Sequence, residues 1–246
     1  MHPVGAIHLL FFGLAIPILV VLAHRRMRDV KRPLPDRLKH FQSTAIQLAL
    51  LTVFSLVVAK ATWIDVLDFD AARLPAGLAA GAALYVAFVL YMRPRWRQAV
   101  EKRARVVHLF MPANATERAW WILVSVLAGV GEEITWRSVQ TQLLVPVVGT
   151  YAVAALLSAT SFGLAHFIQG WRSTLVITFF ALGFQTVVAV SGCLYVAMLV
   201  HVAYDVTAGL AYGRLGRELG YQGPDPPAVA TGRSAVERVA GEDRGQ

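Results

Sequence analysis

Charge is scarce in this chain. Asp, Glu, Lys and Arg make up 15 % of its 246 residues, against about 25 % in a soluble domain. A solvated surface all round is therefore excluded. Cysteine is nearly absent as well. The single Cys193 rules out a disulfide framework within the chain and a zinc site of several thiolates. Its apolar setting marks it as a small buried residue. No basic stretch precedes the first apolar block, Val4 to Ala23, and no small-x-small cleavage site follows it. The block reads as a retained span rather than a cleaved signal peptide. No internal repeat is visible.

Apolar residues are abundant. They account for 57 % of the chain, with a mean hydropathy of +0.55, and they fall in blocks. The expected fold class is all-α, a polytopic transmembrane helical bundle. Seven segments approach the roughly 20 residues that cross a bilayer. They are Val4–Ala23, Thr44–Ala61, Ala76–Met92, Ala119–Leu144, Tyr151–Phe167, Thr174–Val190 and Cys193–Tyr212. Only Ser191-Gly192 separates the last two, as in a tight helical hairpin.

The net charge of +8 does not point to nucleic acid, because the basic residues cluster beside the apolar blocks as juxtamembrane anchors do. Arg25, Arg26, Arg28, Lys31, Arg32, Arg37 and Lys39 occupy one loop, and Arg93 to Arg118 is equally rich. Between them, Thr62–Pro75 carries Arg73 with Asp65, Asp68 and Asp70. An excess of Lys/Arg marks the cytoplasmic side. The expected location is the cell membrane, with the amino terminus outside and the carboxy terminus cytoplasmic, where Arg214 and Arg217 agree. Arg95 to His108 has the make-up of an interfacial helix or a charged anchoring loop helix. The segment Gly220–Gln246 has the Pro, Gly and charge content of a disordered tail.

Against this apolar background three polar groups stand out. The first is Glu132-Glu133-Ile134-Thr135-Trp136-Arg137. A carboxylate at membrane depth is costly and by default suggests a functional site. Glu133 and Arg137, four apart, share a helical face and can pair. Glu132 is turned about 100° away and has no local partner, which leaves it able to take and return a proton. The bland alternative has both glutamates pairing with Arg137 to lock the fold. The second group is Phe162-Gly163-Leu164-Ala165-His166, where a lone histidine near a span end could equally be structural. The third is His201-Val202-Ala203-Tyr204-Asp205, where His201 and Asp205 share a face. Elsewhere, His8 lies in the first span without a partner, Lys60 can snorkel, and Gln185 reads as a helix–helix hydrogen bond. Gln140 and Gln142 could line the same cavity as the glutamates.

Two glutamates with an arginine four after the second, then Phe-x-x-x-His, then His-x-x-x-Asn/Asp, each on its own span, resemble the CPBP (Abi) intramembrane endopeptidases, which include the CAAX prenyl-protein endopeptidases of eukaryotes. The resemblance covers about Ala115 to Tyr212. It implies a glutamate-dependent, metal-independent peptide hydrolase without cofactor. Carried over, Glu132 is the catalytic base, Glu133 and Arg137 are its supporting pair, and His166 helps hold and activate the water. His201 and Asp205 line the opposite side and assist the oxyanion. Asp205 stands where the CAAX-type members have Asn. An ionised Asp cannot donate a hydrogen bond, so either Asp205 is protonated or it orients His201, which then donates; the second is the preferred reading. The implied partners are the lipid bilayer and a membrane-anchored protein or peptide substrate.

Three regions follow: 1–114, N-terminal transmembrane helices and basic cytoplasmic loops; 115–212, a catalytic core of four transmembrane helices; and 213–246, a disordered cytoplasmic tail. Two other functions fit the residues. Glu132, His166 and His201 are a chemically reasonable zinc ligand set, although no His-Glu-x-x-His helix is present. A buried Glu/His/Asp chain also suits a transporter, immunity factor or scaffold that is not an enzyme.

Overall fold

The computed structural model describes residues 2–27 and 34–221. Among these residues every regular element is helical. α1 (Pro3–Leu10) passes through a π-helical turn, π1 (Phe11–Ala15), into α2 (Ile16–Met27) as one column. α3 (Arg37–Ala61) and α4 (Leu74–Glu101) follow. α5 (Ala115–Glu132), a second π segment, π2 (Glu133–Gln140), and α6 (Thr141–Val148) form another continuous column. α7 (Tyr151–Ala165), α8 (Trp171–Ser191) and α9 (Tyr195–Glu218) complete the bundle.

The helical membrane bundle is as expected, and five helices are long and apolar enough to cross a membrane: Pro3–Arg25, Arg37–Ala61, Leu74–Glu101, Trp171–Ser191 and Tyr195–Glu218. The other two expected spans differ for physical reasons. The α5–π2–α6 column carries Glu132, Glu133 and Arg137 at its middle. α7 has 15 residues, which reach about 22 Å at 1.5 Å per residue, short of a hydrocarbon core of about 30 Å.

Large parts of the outer surface are apolar side chains, among them Leu10, Leu50, Leu90, Phe179 and Leu199. They suit a lipid surround.

Parallel and antiparallel neighbours define two ends. α3 and α5 run together, from Phe41 against Trp121 to Ser55 against Thr135. α4 and α9 also run together, from Gly81 against Val196 to Trp96 near Tyr212. α8 opposes α4, so that Gly77 meets Ser191 while Phe88 stacks on Phe180. One end thus collects Arg37, the Arg93–Arg105 stretch and the last turn of α9. Arg37 bridges there to Glu117 at 3.0 Å, and Glu117 also accepts from Ala113 N at 2.8 Å. Burial, with the charge of Arg37 beside it, holds the His108 imidazole below the usual histidine range.

Three boundaries differ from expectation. α4 continues through Pro94 to Glu101 because Trp96 and Val100 are buried on its inner face. The expected helix over Arg95–His108 is therefore split, and its second part is a 3-10 turn, Arg105–Phe110, with Val107 and Leu109 buried. α9 runs past Tyr212 to Glu218, so residues 213–218 are helical rather than part of a disordered tail. Tyr221 beyond it is buried, with its hydroxyl directed at the carbonyls of Arg103 and Ala104. The remainder of the expected tail, 222–246, lies outside the described residues, as does part of the first basic loop.

α5 and α9 touch through Gly129. A Cβ there would sit 2.8 Å from Val202 N and 3.2 Å from Met198 O, both backbone atoms that cannot swing aside. Gly129→Ala is expected to push the two helices apart and cost about 1–3 kcal/mol. A lowered melting temperature of the detergent-solubilised protein is the check.

Candidate active site

α5 begins on a side-chain cap: Asn114 Oδ1 accepts from Glu117 N at 2.9 Å. Its other end runs directly into π2. Pi-helical turns are rare and recur at functional sites. Here the altered register leaves the Trp136 carbonyl to side chains, and it accepts from Thr141 Oγ1 at 2.7 Å and Ser158 Oγ at 2.6 Å. Both hydroxyls thus anchor π2 at one carbonyl. Every residue of Glu133–Gln140 is buried.

His201 is the meeting point. Its Nδ1 lies 2.7 Å from Glu133 Oε1. Its Nε2 lies 3.7 Å from Glu132 Oε2 and 3.6 Å from Asp205 Oδ2. Glu133 also pairs with Arg137, Nε to Oε2, at 3.3 Å. The i, i+4 pairing of Glu133 with Arg137 is as expected, but the two glutamates do not share the arginine. The fold has put His201 of α9 between them. Five of the six expected site residues, Glu132, Glu133, Arg137, His201 and Asp205, thus form one connected cluster.

One expected role changes. The sequence assigns the orienting of His201 to Asp205. Its carboxylate is outside hydrogen-bond reach of the ring, and Glu133 makes the orienting bond. A carboxylate only accepts, so Nδ1 of His201 carries a hydrogen and donates it to Glu133. Nε2 is left facing two carboxyl groups.

Burial separates the roles. The side chains of Glu133 and Arg137 are 0 % and 1 % exposed, whereas Glu132 and Asp205 are 14 % and 29 % exposed. Glu132 and Asp205 are open to an incoming group, and Glu133 and Arg137 are not.

His166 sits at the C-terminus of α7. Its Nδ1 lies 2.9 Å from Phe162 O, its ring packs 4.5 Å from the Phe162 ring, and it is close enough to act electrostatically on Asp205. It makes no hydrogen bond or ion pair with the His201 cluster. Phe162 joins the two parts, because the Arg137 guanidinium lies 4.1 Å over its ring and His201 meets it edge-on at 6.4 Å.

Two contributors carried no signal in the sequence. Phe184 of α8 stacks on His201 at 5.1 Å and lies 5.2 Å under the guanidinium of Arg137. It is one Phe in an apolar span, and nothing local marks it. Trp121 donates to Asp205 O at 2.9 Å and tethers α5 to α9 at the backbone of a cluster residue.

The weaker polar candidates sort differently. Gln140 is not in the site. It lines a separate cleft with Leu9, Gly13, Leu144 and Ser161, and its Nε2 donates to Ser161 Oγ at 3.1 Å. Gln142 donates to Ser138 Oγ at 3.2 Å. Gln185 is a helix–helix hydrogen bond as expected, to Thr141 and from Tyr151. Cys193 is buried as expected. His8 is not partnerless, since Ser55 of α3 meets it. Among the described residues no three His, Cys, Asp or Glu side chains are grouped to hold a metal ion, and the Glu132, His166, His201 set is not such a group.

Comparison with curated proteins and with solved structures found no match. Residues 114–207 match the family model described as Type II CAAX prenyl endopeptidase Rce1-like. The matched stretch contains all six expected site residues and excludes α1 to α4. The three motifs and the match over residues 114–207 point the same way: this stretch of a multi-pass membrane protein is similar to the Rce1-like type II CAAX prenyl endopeptidases.

Proposed function

We propose that this protein is an intramembrane endopeptidase that hydrolyses a peptide bond in a membrane-anchored protein or peptide, with a water activated by Glu132. One observation carries the reading: the accessible Glu132 carboxylate and the accessible Asp205 carboxylate face the same nitrogen of a histidine whose other nitrogen is held by a buried Glu133–Arg137 pair. Amide hydrolysis needs a proton taken from water, donors for the tetrahedral oxyanion and a proton for the leaving amine. Glu132 takes the water proton as the oxygen attacks the carbonyl carbon. The carbonyl oxygen becomes the oxyanion and accepts a hydrogen bond from protonated His201 Nε2, with His166 on the open side of the site. Glu132 then gives its proton to the amide nitrogen as the C–N bond breaks, and the carboxylate is regenerated. Asp205 holds charge balance at Nε2.

Glu132 lies before Glu133 on α5, Asp205 lies after His201 on α9, and His166 ends α7. All three positions are displaced from the buried pair toward the end of the bundle that gathers the basic loops. With that end cytoplasmic, the site opens to the cytoplasm, where the carboxy-terminal segment of a lipid-anchored protein would enter. The amino terminus is then outside.

The test is cleavage by the purified protein in lipid vesicles, using peptides ending in a prenylated Cys-aliphatic-aliphatic-X sequence and their unprenylated twins. Release of the last three residues from the prenylated peptide is expected. Undiminished turnover after exhaustive chelation is also expected. No turnover of either peptide, or turnover lost on chelation and restored by zinc, overturns the reading.

A further inference from the structure

Three buried polar side chains that the proposed reaction does not use form a chain between the first helical column and the catalytic segment. His8 Nε2 lies 3.1 Å from Ser55 Oγ, and Ser55 Oγ lies 2.9 Å from Thr135 Oγ1. His8 and Ser55 are 0 % exposed and Thr135 is 1 % exposed. Polar groups this deep are costly unless bonded to one another. An all-apolar contact would pack the same helices without that cost, so the hydrogen bonds supply direction rather than area.

That direction matters because of where the chain ends. Thr135 belongs to π2, two residues after Glu133 and two before Arg137. The far side of π2 is held at the Trp136 carbonyl by Ser158 and Thr141. Ser55 and His8 hold the near side. The His8 ring cannot drift, because it lies in a box of aromatic rings, 4.5 Å from Phe12 and 5.7 Å from Phe54. Phe12 itself meets Trp136 edge-on at 5.0 Å, and its carbonyl, in π1, accepts from Ser161 Oγ at 2.7 Å. The first column, which lies outside residues 114–207, therefore grips the catalytic segment and the helix beside it.

We infer that His8 is a positioning residue: acting through Ser55 and Thr135, it sets the orientation of π2 and so the placement of the Glu133–Arg137 pair against His201. The kinetic consequence rests on the hydrolase reading above, while the positional claim does not.

The experiment uses the full chain in detergent. His8→Phe keeps a ring in the aromatic box and removes the polar edge. Thr135→Val keeps the shape and removes the hydroxyl, and Thr135→Ser keeps the hydroxyl. Each variant is assayed for kcat and KM on the cleaved peptide, for melting temperature, and for amide hydrogen exchange over residues 133–140. His8→Phe and Thr135→Val are each expected to lower kcat about tenfold with KM little changed, and to speed exchange over 133–140 while the melting temperature stays within a few degrees. The double variant is expected to be no worse than either single one, because both cut the same chain. Thr135→Ser is expected to restore kcat. Unchanged exchange over 133–140, additive losses in the double variant, or a kcat loss that follows the unfolded fraction overturns the inference. Failure of the hydrolase reading is separable, since it appears as equal turnover in the native chain and Glu132→Gln and leaves the exchange result intact.

Discussion

Glu132→Gln is expected to abolish peptide hydrolysis, with kcat lower by about 10²–10⁴-fold, the contribution of a positioned general base. The change keeps size and removes only the ability to carry the proton. Glu132 is the one glutamate of the pair that is partly accessible, and its carboxylate is 3.7 Å from His201 Nε2 without a bonded partner of its own. Its loss leaves the Glu133–Arg137 pair and the Glu133–His201 bond untouched, so expression and melting temperature are expected to stay near those of the native chain. The check is turnover in vesicles alongside thermal unfolding in detergent. Turnover within a few-fold of the native value would remove Glu132 from the mechanism. A melting temperature that falls with activity would make it a structural carboxylate instead.

Arg137→Met is expected to have the largest effect on stability. The Arg137 side chain is 1 % exposed, lies 3.3 Å from a carboxylate that is 0 % exposed, and sits over the rings of both Phe162 and Phe184. Removing it strands Glu133 in a dry interior with only His201 to share its charge. Breaking a buried pair on one side costs about 3–5 kcal/mol. Arg137→Lys is expected to restore little, because an ammonium is a compact, strongly hydrated charge that cannot stack between two rings as a planar guanidinium does. The informative partner is Glu133→Gln combined with Arg137→Met. Removing both charges takes away the unpaired ion, so much of the melting temperature should return. Activity should not, because His201 Nδ1 then has no carboxylate to hold its hydrogen and orientation. Native-like unfolding of Arg137→Met alone would refute the buried-pair account. Recovery of turnover in the double variant would refute the orienting role of Glu133.

Both predictions concern pairs of which the sequence disclosed only part. Glu133 with Arg137, and His201 with Asp205, are legible because helical spacing places residues four apart on one face. Gln185 is legible as an interhelical bond because a lone amide in an apolar span needs a partner. His201 lying between Glu132 and Glu133 was not legible. It depends on α5 and α9 approaching backbone to backbone at Gly129, and no local pattern encodes which glycine meets which helix. Gln140 looked like a neighbour of the site and lies in another cleft, because π2 alters the register between Arg137 and Gln140. His8 looked partnerless because Ser55 is 47 residues away in the chain.

The amino-acid sequence alone determined that this chain is a helical membrane bundle, and that its costly polar residues fall on three particular helices in an order that resembles one protease family. Those features follow from apolar run length, loop charge and spacing along single helices, all of which are local. Only the tertiary structure decided which nitrogen of His201 faces which carboxylate, that Glu133 rather than Asp205 orients the ring, and that α1 and α3 reach π2. Each of these is a contact between helices, set by close approach of small residues and by the pairing of buried polar groups that have no water to turn to.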